Sequence, residues 1–253
     1  MNDCIKGLAH IHSSYSFDSK CSLKELATLC GKKGYRFMLL SEHAEGYTQE
    51  KMQELVQECK DLSSEDLYIF PGLEYNCEGM HILALGVNSL IDESDLPGMI
   101  RRIHELGGIS VLAHVIYYNS IPYERLSALD GVEVWNPRYE GNYSPSLRSL
   151  RILKKFRERN KRILACGGLD LHETGNMGRI WLCVEPSGNG REAIFSALKN
   201  GRFKITNGTM SFDALKSPSA AKFCIICAMR AIYKGRRLLE KFIGRLTNNP
   251  MRH

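Results

Sequence analysis

Two residue pairs in this chain are spaced for metal chemistry. His10 and His12 stand two apart in "KGLAHIHSSYSFDS", with Asp18 a few residues on, and Asp170 and His172 stand two apart in "GGLDLHE". Residues two apart on a strand point the same way, so each pair can aim both side chains at one centre. His43 in "LLSEH", His81 in "HILALG" and His114 in "LAHV" also fall at or beside the ends of apolar runs, as do Glu42 and Glu74. Only His104 and His253 do not. A lone histidine in such a place is an ordinary core or surface residue, but six interleaved with acids form a constellation. Imidazole and carboxylate without cysteine suit Zn, Mn or Fe, and there are more ligands than one tetrahedral ion can use. Two or three divalent ions are expected. Such a cluster polarises phosphoryl oxygens, makes a hydroxide nucleophile at neutral pH and neutralises the leaving oxygen, which is the chemistry of phosphate-ester hydrolysis. No Ser-His-Asp arrangement or phosphate-cradling glycine motif competes with it.

The elements that must position these residues alternate. Strand-like runs ("KGLAHIHS", "YRFMLLSEH", "LYIFPGLEYN", "HILALGVN", "GISVLAHVI", "GVEVWN", "KRILACGGLD", "RIWLCVEP") are separated in several places by helical patterns such as "SLKELATLCGKKG", "TQEKMQELVQECKDLS" and "SLRSLRILKKFRERN". Strand alternating with helix over 253 residues argues an α/β architecture built on parallel strands, either a barrel or an open doubly wound sheet. In such folds sites gather where strands end at their carboxyl edge, so scattered histidines and acids can converge in one cleft.

The motifs "HIHSSYSFDS", "LLSEH", "PGLEYN", "HILALG", "LAHV" and "GLDLH" resemble, in order and spacing, those of the polymerase and histidinol phosphatase (PHP) family of metal-dependent phosphoesterases. The resemblance covers about residues 6 to 208. It implies a distorted barrel of seven β/α units with a trinuclear site at the strand carboxyl ends. By position, it implies that His10, His12 and Asp170 hold one ion, with Glu74 bridging to a second held by His81 and His114. Asp18, His43 and His172 would hold the third. Asp170, His172 and Glu74 are the expected catalytic residues, with attack by metal-bound hydroxide on a phosphate mono- or diester. Glu42 stands where the family often has Asp, Val115 where Pro is common, and Leu169 and Leu171 where small residues are frequent; none of these removes a ligand. "IFSALKNGRFKITNG" resembles the helix and strand that close the fold.

A phosphoryl group on the ions keeps charge that an arginine fork matches. Arg138 in "WNPRYEG" and Arg179 in "NMGRIWL" are the candidates, with Tyr15, Tyr117, Tyr118 and Tyr139 as stacking or packing groups. The substrate is expected to be a phosphorylated small molecule or nucleotide. The other class considered is a metal-binding, non-catalytic scaffold or a polymerase- or nucleic-acid-associated module.

Charge divides the chain. Nine of 34 basic residues but one of 28 acidic residues fall from Lys216 onward, so that stretch carries +8 and the preceding body −2. The organisation expected is a phosphoesterase domain over 1–215, a linker at "KSPSAAK", and a basic amphipathic helical tail over 216–253, in one helix or two broken near Gly235. The tail is expected to pack on the body or a second subunit, with membrane-surface or nucleic-acid contact as alternatives. Cys224 and Cys227 form a CxxC without a second pair, which reads as packing. Nine scattered cysteines, no secretory leader and no apolar run near 20 residues lead to the expectation of a cytoplasmic protein without disulfides.

Overall fold

The computed structural model describes residues 4–247, the side chains of residues 234 and 236–247 excepted. Its first half contains β1 (Ile5–Ile11), α1 (Leu23–Lys32), β2 (Phe37–Leu40), β3 (Glu42–His43), α2 (Gln49–Leu62), β4 (Tyr68–Phe70), β5 (Gly72–Cys77), β6 (Met80–Leu85) and α3 (Leu96–Glu105). There follow β7 (Ile109–Leu112), β8 (Gly131–Trp135), α4 (Pro137–Glu140), α5 (Leu147–Arg159) and β9 (Leu164–Gly167). The chain continues with β10 (Trp181–Val184), α6 (Arg191–Lys199), β11 (Phe203–Thr206), β12 (Ser211–Asp213) and α7 (Ala220–Thr247).

Local chemistry fixes the helix starts. Ser22 accepts from the Glu25 amide while the Glu25 carboxylate accepts from the Ser22 amide, a capping box that satisfies two otherwise orphaned donors at α1. Thr48, Asp95 and Ser146 cap α2, α3 and α5 in the simpler one-way manner. Each of these helices turns an apolar stripe inward: α1 through Leu23, Leu26 and Cys30, and α3 through Leu96, Met99, Ile100 and Ile103.

The strands form two mixed six-stranded sheets, ordered β12-β11-β10-β1-β2-β4 and β3-β5-β6-β7-β8-β9. This is an α/β fold, but not seven uniform β/α units. β5 and β6 form a hairpin turned by Glu78 and Gly79, both with left-handed φ, and β10 returns antiparallel to β1. The chain leaving β9 runs along β1 and ties one sheet to the other. The Leu169 amide donates to the Ala9 carbonyl, the Leu171 amide to His10 and the His12 amide to Leu171, at 2.9–3.1 Å.

One expectation needs correction. Cys4 and Cys183 are joined in a disulfide, although nothing in their separation of 179 residues signals it. The antiparallel pairing of β1 with β10 brings their Cα atoms to 5.3 Å, within disulfide reach. Of the two forms expected for the tail, the structure has the single helix: its backbone passes Gly235 without a break. Ile226 is fully buried and Met229 packs on the core, so the first turns of α7 lie against the body. Leu239, Phe242 and Leu246, expected on the tail's apolar stripe, have side chains outside the described residues, as does the whole of 248–253. Among the described residues no helix is long and apolar enough to cross a membrane.

Candidate metal centre

His10 and His12 converge, but not by simple strand alternation. The register of β1 against β2 slips between Ala9 and Ile11, and His10 at that bulge has φ +58°. Such a bulge re-aims a side chain. The two rings end 5.3 Å apart. Asp170 has φ +49° and His114 φ +28°. Non-glycine residues held in this region cost about 1–3 kcal/mol each and need surrounding structure to hold them there. Among the described residues the only other such position is the hairpin turn at Glu78.

Glu74, from the middle of β5, is the hub. Its carboxylate lies 2.8 Å from His81 Nδ1, 3.0 Å from His114 Nε2, 3.3 Å from His10 Nε2, 3.4 Å from His12 Nε2 and 3.5 Å from His43 Nδ1. Asp170 Oδ1 stands 3.4 Å from both His12 Nε2 and His172 Nδ1, and 3.7 Å from His10 Nε2. Asp18 comes in from the exposed loop after β1, with Oδ2 2.9 Å from His172 Nε2 and 3.3 Å from His43 Nε2. Three groups, His10–His12–Asp170, His10–Glu74–His114 and His12–His43–His172, bring their donor atoms within 4.8 Å of one another and could each hold a metal ion.

Buried atoms without partners support that reading. His12 Nε2, His114 Nδ1 and His172 Nε2 carry no hydrogen bond, although carboxylate oxygens stand 3.4 Å from the first and 2.9 Å from the last. Leaving buried polar atoms unpaired costs about 1–3 kcal/mol each. Ring nitrogens that stand near carboxylates without alignment are placed as atoms that could share a cation with them. The donor set, imidazole and carboxylate only, fits divalent ions of the Zn, Mn or Fe type.

A supporting layer fixes the rings. His10 Nδ1 lies 2.9 Å from the buried Glu133 of β8, and Glu133 also accepts from the His114 amide at 2.7 Å and from Asn136. His12 Nδ1 lies 3.2 Å from Ser16 Oγ, whose hydroxyl donates to buried Glu42. Glu42 also takes the Ser13 amide and hydroxyl, and Ser16 Oγ accepts the His43 amide. Placing a proton on Nδ1 satisfies both partners and turns Nε2 of neutral His12 toward the centre as a lone pair; His10 would offer Nε2 in the same way once its second proton is displaced.

Charge follows from these contacts. Burial would raise the Glu74 carboxyl, but His10, with hydrogen bonds from His10, His114 and His81, holds it far below the usual range. Burial likewise opposes ionisation of Asp170, and His12, His10 and Tyr139 overcome it, keeping the carboxyl well below normal. His12 is pushed down to about 4, chiefly by burial, and so is neutral at neutral pH. His10 goes the other way: burial lowers it, yet Glu133 and Glu74 lift it well above 6.5. The hydrogen bond to Glu74 raises His81 as well.

The centre opens into a cavity of about 270 Å³ lined by Asp18, His43, Glu74, His81, His114, Asp170 and His172 on one side and by Tyr117, Tyr118, Arg138 and Tyr139 on the other. Arg138 Nη1 donates to the Asp170 carbonyl at 3.2 Å and lies 2.7 Å from His172 Nδ1, and the Tyr139 hydroxyl donates to Asp170 Oδ2. Arg179 is not brought there. The chain turns at Gly178, against the Tyr35 hydroxyl, and leaves Arg179 exposed outside the lining. Tyr15 packs on the core, away from the cavity.

Sequence reasoning missed Glu133 and Ser16. The signal for Glu133 was an acid inside the apolar run "GVEVWN"; Ser16 carried none. It also missed Phe17, which is exposed and stacks on His43 with ring centroids 4.9 Å apart. A Ser-His-Asp cluster does exist, at the far edge of the sheet, where His104 Nε2 and Ser110 Oγ both meet Asp130 Oδ2. Ser110 is fully buried, so no substrate reaches it.

No family model matches the chain. The DNA polymerase/3'-5' exonuclease PolX of Bacillus subtilis (strain 168) is 36% identical over 110 residues, which is 40% of this chain and 18% of that protein. Among solved structures, a two-domain protein from Bacteroides vulgatus ATCC 8482 containing a predicted PHP-like metal-dependent phosphoesterase superposes with a TM-score of 0.60 at 16% identity. The match covers 80% of this chain and 64% of that one. PsfC from Pseudomonas syringae PB-5123 superposes with a TM-score of 0.55 at 16% identity, over 91% of this chain and 98% of that one. The likeness to these structures is one of fold.

Proposed function

We propose that this chain, which resembles PHP-like metal-dependent phosphoesterases in motifs and in fold, hydrolyses a phosphate mono- or diester at a di- or trinuclear metal centre. The observation that carries the proposal is the clustering of six histidines with Glu74, Asp170 and Asp18, with three buried ring nitrogens left unpartnered. We read the two sheets, tied along residues 9–12 and 169–171, as one distorted barrel with that centre at its strand carboxyl ends.

In this reading His10, His12 and Asp170 would hold one ion, Glu74 would bridge to a second held by His81 and His114, and Asp18, His43 and His172 would hold the third. When bound, such ions polarise phosphoryl oxygens and make water a nucleophile at neutral pH. The chain's own residues do the rest. Glu74 and Asp170 remain ionised and His12 neutral, so the ligand atoms are ready without proton loss at those three positions. Burial and the Asp170 carboxylate push the Tyr139 hydroxyl up, so it stays a donor and orients Asp170. Arg138, half exposed at the mouth, offers its remaining N–H groups to the non-bridging phosphoryl oxygens. Tyr117 and Tyr118 wall the cavity against bulk water. The similarity to PolX favours a nucleotide or nucleic-acid ester over other phosphate esters.

The test joins metal analysis of the purified protein to a panel of phosphate esters, including nucleotides and oligonucleotide ends, with Asp170→Asn as control. Bound ions with turnover lost in the variant support the proposal. Ions without turnover on any ester would leave a metal-stabilised binding module instead.

A further inference from the structure

The basic C-terminal stretch meets the loop behind the site through Arg230 and Tyr233. Arg230 of α7 is partly buried, and its guanidinium serves three carbonyls of a single loop: Nε donates to Pro145 at 3.0 Å, Nη1 to Glu140 at 2.5 Å, and Nη2 to Ser144. Three carbonyls at different angles match the fixed fork of a guanidinium, and an ammonium cannot reach all of them. Tyr233, one turn further along α7, lies beside Gly141, where φ is +84° and a Cβ would sit 3.4 Å from the tyrosine ring. The same loop is held from the body side by the Trp135 indole N–H on the Gly141 carbonyl.

That loop leaves α4, a helix of only four residues that cannot hold its shape by its own hydrogen bonds. Its first turn is fixed by Asn136, whose Oδ1 accepts from the Arg138 amide, and by the buried Glu140 carboxylate, which takes the amides of Asn136 and Ser146 and the Ser149 hydroxyl. Its last carbonyl, that of Glu140, has Arg230 as partner. The two middle residues of α4 are Arg138 and Tyr139, the groups that reach Asp170 and His172 across the cavity. A continuous chain of contacts thus runs from α7 to the ligand Asp170.

We propose that Arg230 is a positioning residue: by fixing the 140–145 loop it holds Arg138 and Tyr139 in register with Asp170 and the incoming phosphoryl group, so that α7 forms part of the working site. The inference rests on the phosphoesterase reading of that site. It assigns the first turns of the basic stretch to the body of the enzyme, leaving a membrane or nucleic-acid role to residues beyond Tyr233.

The experiment uses the full chain loaded with divalent metal, with p-nitrophenyl phosphate as ester and inorganic phosphate as a non-reacting ligand. Arg230→Ala should raise KM about tenfold while kcat moves much less, since a small misplacement of a binding group is enough for that loss. The same change made on an Arg138→Ala background should add little, because the group being positioned is already gone. Arg230→Lys should fall between, and it also serves if the alanine variant does not fold. Hydrogen exchange should quicken at residues 137–146 and not at 164–172. Effects of the two substitutions that multiply independently, or an unchanged KM with quickened exchange, would overturn the inference and leave Arg230 as loop packing. Should wild type turn over no ester, the phosphoesterase reading fails by itself. The affinity for inorganic phosphate, tenfold weaker in Arg230→Ala or unchanged, then decides the positioning role separately.

Discussion

The two edges of the β7–β8 pair each gather histidine and carboxylate, and they use them in opposite ways. At the amino edge Asp130 Oδ2 accepts from the Ser110 amide at 2.8 Å, from Ser110 Oγ at 3.0 Å and from His104 Nε2 at 2.9 Å. Each contact is mutual, and none of these three residues has a left-handed backbone. At the carboxyl edge His114 sits at φ +28° beside Glu133 and Glu74, and a buried ring nitrogen faces no partner. A cluster that closes on itself is structural. A cluster held in strained backbone with donor atoms left open is arranged as a binding site is, and that contrast is the ground for reading one edge as site and the other as scaffold.

The contrast is broken most severely at Asp170, which belongs to one possible ion position and also meets Tyr139 and Arg138. Asp170→Asn should lower ester turnover by about a thousandfold, the scale of losing a preorganised charge in a reaction centre, while far-UV circular dichroism stays native. Turnover within a few-fold of wild type would remove Asp170 from the machinery. Glu133 sharpens the contrast one layer out, since it touches the candidate ligands His10 and His114 but does not line the cavity they open into. Glu133→Gln keeps the shape and loses the charge behind His10, and should weaken metal affinity about 10–100-fold by competition with a chelator. An unchanged affinity would make Glu133 a filler of the core.

Protons bear on the open cluster as well. His10 and His81 are raised above their ordinary range in the metal-free protein, His10 by Glu133 and Glu74 against burial, and His81 by Glu74. Each contributes folding stability that is complete below the unfolded value of 6.5 and is lost as pH rises through the folded value. Ions bind the neutral rings, so binding must expel those protons. Metal affinity should therefore climb with pH by up to about tenfold per unit for each proton displaced, until both rings are free of them. Titration calorimetry in two buffers of different ionisation enthalpy counts the protons, and a count of zero at pH 7 would contradict the charge state given to His10.

Much of this was legible in the sequence, and the exceptions have physical causes. Every strand-like run from "KGLAHIHS" to "RIWLCVEP" contains a strand of the structure, because period-2 and buried apolar patterns survive in a folded sheet. The spacing of His10 and His12 was readable, but the bulge at His10 was not: a register slip depends on the neighbouring strand, which no local window contains. Glu133 was hidden because its meaning lies in His10, 123 residues away. The Cys4–Cys183 bond was hidden for the same reason, across 179 residues. Arg230 looked like one more charge on a basic helix; only the three carbonyls opposite it distinguish it from its neighbours.

The smallest expected effect tests the quiet edge. Asp130→Ala would leave the Ser110 amide without an acceptor and its hydroxyl with His104 Nε2 alone, at 3.2 Å, and Ser110 is fully buried, so the cost is that of an unpaired buried group, about 1–3 kcal/mol. His104→Ala removes only the half-exposed partner, and pairs of that kind are worth about 0–1 kcal/mol. For a chain of 253 residues the melting temperature should fall by roughly 2–10 °C in the first variant and by a few degrees at most in the second. Metal content and KM should stay at wild-type values in both, because β7 and β8 transmit a satisfied end no differently whether one tie is loosened. If either substitution instead lowered metal content, the two edges would be coupled along the strands. The division between a closed cluster and an open one would then be a difference of degree.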